Sequence, residues 1–182
     1  TQTEIENNFT EKEDLGLIFN IKEEEIKGRN IKLFNAKSSF IVGLDYPNWL
    51  LYYYPPVDQS KIPVLLVHGW GNKAKSSDNN RWGDLENELL SQDYDVWRLQ
   101  FWPANLSNRK NAGVIGASIT HLKSFYPSLN KIDVISHSMG SLAVRGYIQN
   151  IGVSSSGYNR PYQNNIRKYV IIAGPMYGSY LA

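Results

Sequence analysis

The sequence predicts an α/β fold, a mostly parallel sheet with helices on both faces. Two observations carry that prediction. From Ile62 onward, short apolar runs alternate with helical stripes through three crossovers, and crossovers of this length join parallel strands. The first of those runs, PVLLVHGWG, is continuously apolar and ends in glycines, as a strand buried on both faces should.

Taken in order, residues 1–60 are rich in charge and aromatic side chains. The alternation in IKLF and the Gly and Pro breaks predict short strands and turns rather than long helices. Glu23–Glu25 reads as a solvated face. The cluster Trp49, Tyr52, Tyr53 and Tyr54 reads as packing for an edge strand, and Pro55-Pro56 as the start of a turn into a central strand. After PVLLVHGWG and the polar loop GNKAKSSDNN, Trp82, Leu85, Leu89 and Leu90 form a helical stripe. DVWRLQFWP follows as a strand. In NAGVIGASITHLKSFYP, Ile115, Ile119, Leu122 and Tyr126 recur at helical spacing. KIDVIS is the next strand, GSLAVRGYIQNIG a third helix and KYVIIAG a fourth strand of this series. The expected organisation is therefore a strand-rich N-terminal extension over 1–60 and an α/β core over 61–182.

Bulk properties narrow the function classes. Length of 182 residues suits one core, or one core with an appendage, and 42% apolar content excludes a disordered chain. Residues 1–60 carry 6 Lys/Arg against 10 Asp/Glu, while 61–182 carry 13 against 7. The basic half has no Lys/Arg run, so a nucleic-acid partner is disfavoured. With no cysteine, disulfides, thiol catalysis and Cys-based zinc sites are excluded, and the compartment stays open. Three widely spaced histidines show no metal-ligand spacing. No phosphate-loop glycine pattern is present.

The chemistry-bearing stretch is VISHSMGSLAVRGYI, Val134–Ile148. It reads as strand, sharp turn and helix, with Ser138 at the apex. A strained turn of this kind pushes a serine oxygen clear of the backbone, and it needs small residues two positions to either side. Those positions hold Ser136 and Gly140. Serine at the first departs from the glycine of the G-x-S-x-G consensus, but is small enough to fit. Acyl transfer also needs amide donors aimed at the developing oxyanion. The N–H of Met139 is the first candidate. The second is that of Trp70 in His68-Gly69-Trp70-Gly71, where glycines let backbone approach substrate.

Three ordered pieces, VLLVHGWG, DVISHSMGSLAVRGYI and YVIIAGPMYGSYLA, resemble the lipase branch of the α/β-hydrolase superfamily. The likeness runs from about Ile62 to Ala182, and residues 1–60 enter it only as a source of the fold's first antiparallel strands. The resemblance implies a serine hydrolase of carboxylic esters, often lipid esters, with a Ser–His–Asp or Ser–His–Glu triad and no cofactor. Its expected partners are an ester or lipid substrate and a transient lipid interface. An alcohol resolving the acyl-enzyme would make it an acyltransferase, and lipid deacylase or thioesterase chemistry is also compatible. Trp70, Met176 and Tyr177 are the candidate substrate-binding residues.

In this fold the acid and histidine follow the nucleophile. Here no Asp, Glu or His follows Ser138. The reading taken is that the C-terminal strands of the fold lie outside the chain, in a further part of the enzyme or a second chain that completes the site. A catalytically silent binding module and an internal base are the alternatives. His121 reads as a surface or partly buried helix histidine, His137 as packing beside the elbow, His68 as orienting its loop and Asp133 as the start of a strand. None of them is assigned to a triad.

Overall fold

A computed structural model describes residues 58–69, 82–102, 107–151 and 161–178 with their side chains (Trp102 by backbone only), and four strands between residues 10 and 53 by backbone alone. Those four are β1 (Thr10–Asp14), β2 (Leu17–Ile26), β3 (Arg29–Ser38) and β4 (Asn48–Tyr53). The rest of the sheet is β5 (Val64–Val67), β6 (Val96–Trp102), β7 (Ile132–His137) and β8 (Ile166–Ile172). Helices α1 (Asp84–Ser91), α2 (Asn108–Ser124) and α3 (Met139–Ile148) connect β5 to β6, β6 to β7 and β7 to β8.

All eight strands form one sheet in the order β1-β2-β3-β4-β6-β5-β7-β8. β1 to β4 pair antiparallel, β4 pairs antiparallel with β6, and β6, β5, β7 and β8 run parallel. Two expectations for the N-terminal part change. β2 and β3 are ten residues each, longer than the short strands anticipated. β4, which carries Trp49, Tyr52 and Tyr53, is not an edge strand. It pairs with β3 on one side (Leu51 to Phe34) and β6 on the other (Leu51 to Leu99), so both of its edges are used. The side chains of Glu23–Glu25 fall outside the described residues.

Strand alternation sorts the core into two layers. Leu65, Val67, Trp97, Leu99, Phe101, Ile132 and Val134 face α2 and α3, where Ile115, Ile119, Leu122, Ala143 and Val144 meet them. On the other face Val64, Leu66 and Val96 meet Trp82, Leu89 and Leu90 around α1. Helices thus cover both faces of the parallel part. Each fully buried Leu or Ile contributes about 1.5–3 kcal/mol by leaving water. α2 and α3 come close because their contact is lined by small residues: a methyl group at Gly146 would stand 3.3 Å from Ala112 Cβ. At the end of the described sheet, Val170, Ile171 and Ile172 of β8 are exposed.

Polar anchors hold the opposite end of the core from the elbow. Trp97 Nε1 donates to Tyr126 Oη (2.9 Å), and Tyr126 donates to Asp95 Oδ2 (2.9 Å), which also accepts the Asp58 N–H (2.8 Å). Burial pushes the Asp95 carboxyl up, against the lowering effect of those two bonds. On the α1 face, Arg98 Nε lies 3.0 Å from Glu86 Oε1, both side chains almost wholly buried.

Candidate active site

β7 ends at His137 and α3 begins at Met139, leaving Ser138 alone to turn the chain. Its backbone has φ 54° and ψ −130°, a conformation that non-glycine residues adopt only under strain of about 1–3 kcal/mol. The Ser138 side chain does not cap the helix. The Oγ is therefore held off its own backbone, as a nucleophile must be.

Neighbouring strand ends hold that strain in place. The Ser138 N–H donates to the Ile172 carbonyl at the end of β8 (3.0 Å), and the Ser138 carbonyl accepts the Ser141 N–H (3.0 Å). On the other side stands the end of β5. A methyl group at Gly69 would lie 2.6 Å from Ser138 Cβ and 3.1 Å from its Oγ. At Gly140 it would lie 2.2 Å from the His68 carbonyl oxygen. Only glycine lets the His-Gly loop and the first turn of α3 touch. The structure thus brings the two glycine motifs of the sequence together at Ser138.

His68 fixes this loop. It is buried, and its Nε2 accepts the Phe101 N–H (3.1 Å). That nitrogen therefore bears no proton, so Nδ1 carries it and donates to the Gly69 carbonyl. With both nitrogens engaged on backbone, His68 orients the loop and has no nitrogen left to take a proton from Ser138. His137 is exposed on the α1 face of β7, its ring edge-on to Trp82 at 6.4 Å. His121 is buried, not at the surface, because the α2 stripe turns it inward against Phe125 (ring centroids 5.3 Å). It stays within that helix layer. Asp133 stands at the far end of β7 from Ser138, about 16 Å away at the usual strand rise. There it forms a two-point pair with Arg167 (2.8 and 2.6 Å).

Of the oxyanion candidates, Met139 is the first residue of α3, so its N–H has no partner within the helix. Trp70 lies outside the described residues. Of the substrate-binding candidates, Met176 is half-buried with its Sδ 3.7 Å from Arg145 Nη1, while Tyr177 is fully exposed. Among the described residues no group of three or more acidic or histidine side chains stands together as metal ligands.

Beneath the elbow is a cluster that the motif pattern does not announce. Ser136 is fully buried, with Oγ 2.8 Å from Ser141 Oγ and 3.0 Å from Tyr169 Oη; Tyr169 in turn donates to the Ser141 carbonyl (2.8 Å). Ser136 alternates with Ile132 and Val134 on the face that meets α2 and α3, so a polar residue on a core face was the available signal.

Parallel strands joined by helical crossovers, with a strained serine where β7 enters α3, define an α/β-hydrolase fold. The chain belongs to the class 2 lipase family, whose model, described as Lipase (class 2), matches residues 61–182. A search of curated proteins finds no match. Among solved structures, the chain is similar to a glucuronoyl esterase from Solibacter usitatus, at 15% identity and TM-score 0.50, covering 79% of this chain and 52% of that one. It is also similar to the apo form of Thermogutta terrifontis esterase 2, at 10% identity and TM-score 0.48, covering 94% and 60%. A 2-hydroxy-6-oxo-6-phenylhexa-2,4-dienoate hydrolase from Rhodococcus sp. strain RHA1 matches at 14% identity and TM-score 0.40, covering 85% and 46%. The chain spans about half to three fifths of these structures' own lengths.

Proposed function

We propose that this chain carries the nucleophile and oxyanion elements of a serine hydrolase that cleaves carboxylic esters, lipid esters among them. The observation that carries the reading is Ser138, held at positive φ with Gly69 packed on its side chain. Membership of the class 2 lipase family supports ester hydrolysis.

In the proposed reaction, Ser138 Oγ attacks the ester carbonyl carbon and its proton passes to a base. The carbonyl oxygen becomes an oxyanion, stabilised by the N–H of Met139 and by that of Trp70, one peptide unit beyond Gly69. Collapse of the tetrahedral species breaks the C–O bond, and the base returns the proton to the departing alkoxide. Water then attacks the acyl-enzyme by the same route and frees the acid. No separate cofactor enters these steps. None of the three histidines is placed as the base: His68 is committed to backbone, His121 sits inside the α2 layer, and His137 faces α1. On this reading the base is a group other than these three imidazoles.

A second reading is a hydrolase-fold module that binds without turnover, favoured by the engagement of His68, the histidine on the loop beside Ser138, with backbone through both ring nitrogens. One experiment separates the two. A fluorophosphonate probe should label the full-length protein at Ser138, and Ser138→Ala should abolish labelling. Labelling that survives the substitution overturns the assignment; an intact, folded protein that takes no label favours the silent module.

A further inference from the structure

A serine two residues before the nucleophile replaces the consensus glycine, and it is buried directly beneath the turn. Its single proton faces two hydroxyls, Ser141 Oγ at 2.8 Å and Tyr169 Oη at 3.0 Å, and more distantly the Val170 carbonyl at 3.4 Å. One proton order joins all three hydroxyls. Tyr169 donates to the Ser141 carbonyl (2.8 Å), which can only accept. Tyr169 Oη is then free to accept from Ser136, and Ser136 Oγ accepts from Ser141 Oγ. Every proton is used, and the chain of bonds begins and ends on Ser141. Burial pushes the Tyr169 phenol up, which favours the protonated form that donates.

Ser141 is the pivot because it also reaches the nucleophile. Its N–H donates to the Ser138 carbonyl (3.0 Å), and a methyl group at Gly174, just past β8, would stand 2.9 Å from its Oγ. The hydroxyl cluster therefore ties three elements to one residue in the first turn of α3: β7 through Ser136, β8 through Tyr169, and Ser138 through the turn.

We propose that Ser136 and Tyr169 are positioning residues, whose hydroxyls, joined at Ser141, lock the first turn of α3 against β7 and β8 and so fix where Ser138 Oγ points. The inference rests on the serine-hydrolase reading. It predicts a specific kinetic signature, because a displaced nucleophile slows bond formation without changing how a probe docks, and misplacement by about 1 Å costs about 10²-fold.

The test measures fluorophosphonate labelling of the full-length protein over a range of probe concentrations, separating the limiting rate constant from the half-saturating concentration. Ser136→Ala and Tyr169→Phe should each lower the limiting rate, by up to about 10²-fold for a displacement of about 1 Å, with the half-saturating concentration unchanged. The double variant should be no slower than the slower single, since both break one network. Single variants that label at the wild-type rate overturn the proposal. So do variants that lose thermal stability while the rate per folded molecule is kept, because that is a structural role alone, and so do losses that simply multiply. Ser136→Gly, which restores the consensus residue, serves if Ser136→Ala does not fold; failure of every variant to fold also overturns it. Wild-type protein that takes no label at Ser138 overturns the serine-hydrolase reading and this inference together, whereas a labelled wild type with unaffected variants overturns only this one.

Discussion

Substituting Gly140 by Ala puts one methyl group where the elbow meets β5, and the structure sets the size of the effect. The added carbon would lie 2.2 Å from the His68 carbonyl oxygen, 2.8 Å from that of Val67 and 2.9 Å from the His68 carbonyl carbon. Carbon and carbonyl oxygen approach no closer than about 3.3 Å in ordinary packing, so the shortfall is about 1 Å. All three neighbours are backbone, and Val67 belongs to a strand paired on both sides, so the helix start must withdraw. Overpacking of this kind costs about 1–3 kcal/mol, or a fall in Tm of about 2–12 °C for a chain of this size. Withdrawal carries Ser138 with it, and about 1 Å at the nucleophile costs about 10²-fold in rate. Thermal denaturation and the limiting rate of fluorophosphonate labelling read the two effects. Gly146→Ala is the control. It lies in the same helix, and its methyl group would meet only the Ala112 side chain at 3.3 Å and the Asn108 carbonyl at 3.8 Å. There the strain is set against a helix-propensity gain of about 1 kcal/mol, and labelling should be unchanged. A Gly140→Ala protein with native Tm and wild-type labelling would refute the packing argument.

Other substitutions probe the rest of the core. Glu86→Ala removes one partner of the buried pair with Arg98, and losing half of such a pair costs about 3–5 kcal/mol; urea midpoints should fall accordingly, and a loss under about 1 kcal/mol would refute the pairing. Asp95→Asn addresses pH. Because burial raises the Asp95 pKa, the folded chain holds this proton to higher pH than the unfolded chain, whose Asp pKa is about 3.9. The Asp95 contribution therefore declines as pH rises from the unfolded value through the raised one. Over that window Tm should shift in favour of the Asn variant, and a shift in favour of the wild type would reverse the assigned cause.

How much of this was legible in the sequence depends on the range of the signal. The β5, β6, β7 and β8 strands and their helices announce themselves through local periodicity, and Ser138 through its small flanking residues. Proximity of Gly69 to Ser138 followed from motif logic, since both lie at the ends of strands in a parallel sheet. The position of β4 did not. A run of aromatics suits an edge or an interior strand equally well, and only the register with β6, which pairs Trp49 with Phe101 and Tyr53 with Trp97, decides between them. Glu86 was readable after the fact. It falls four residues after Trp82 and three before Leu89, on the apolar stripe itself, and Arg98 alternates with Val96 on the facing strand. Each charge alone looks like an interruption of a pattern; together they explain one another.

The same reasoning applies to the elbow. A residue at positive φ stores strain that its own turn cannot relieve, so contacts from outside the turn must outweigh it. β7 lies between β5 and β8, and their registers bring Val67 level with Ser136 and Ile172 level with His137. Both flanking strands therefore end beside Ser138, one giving glycine backbone and the other a carbonyl acceptor. Serine at position 136 is compatible with so crowded a place because its oxygen enters hydrogen bonds instead of meeting a wall. A side chain of similar size without a hydroxyl would fill the same space and leave the Ser141 hydroxyl to find another partner. Size alone explains why position 136 is small; the hydrogen-bond geometry explains why it is serine.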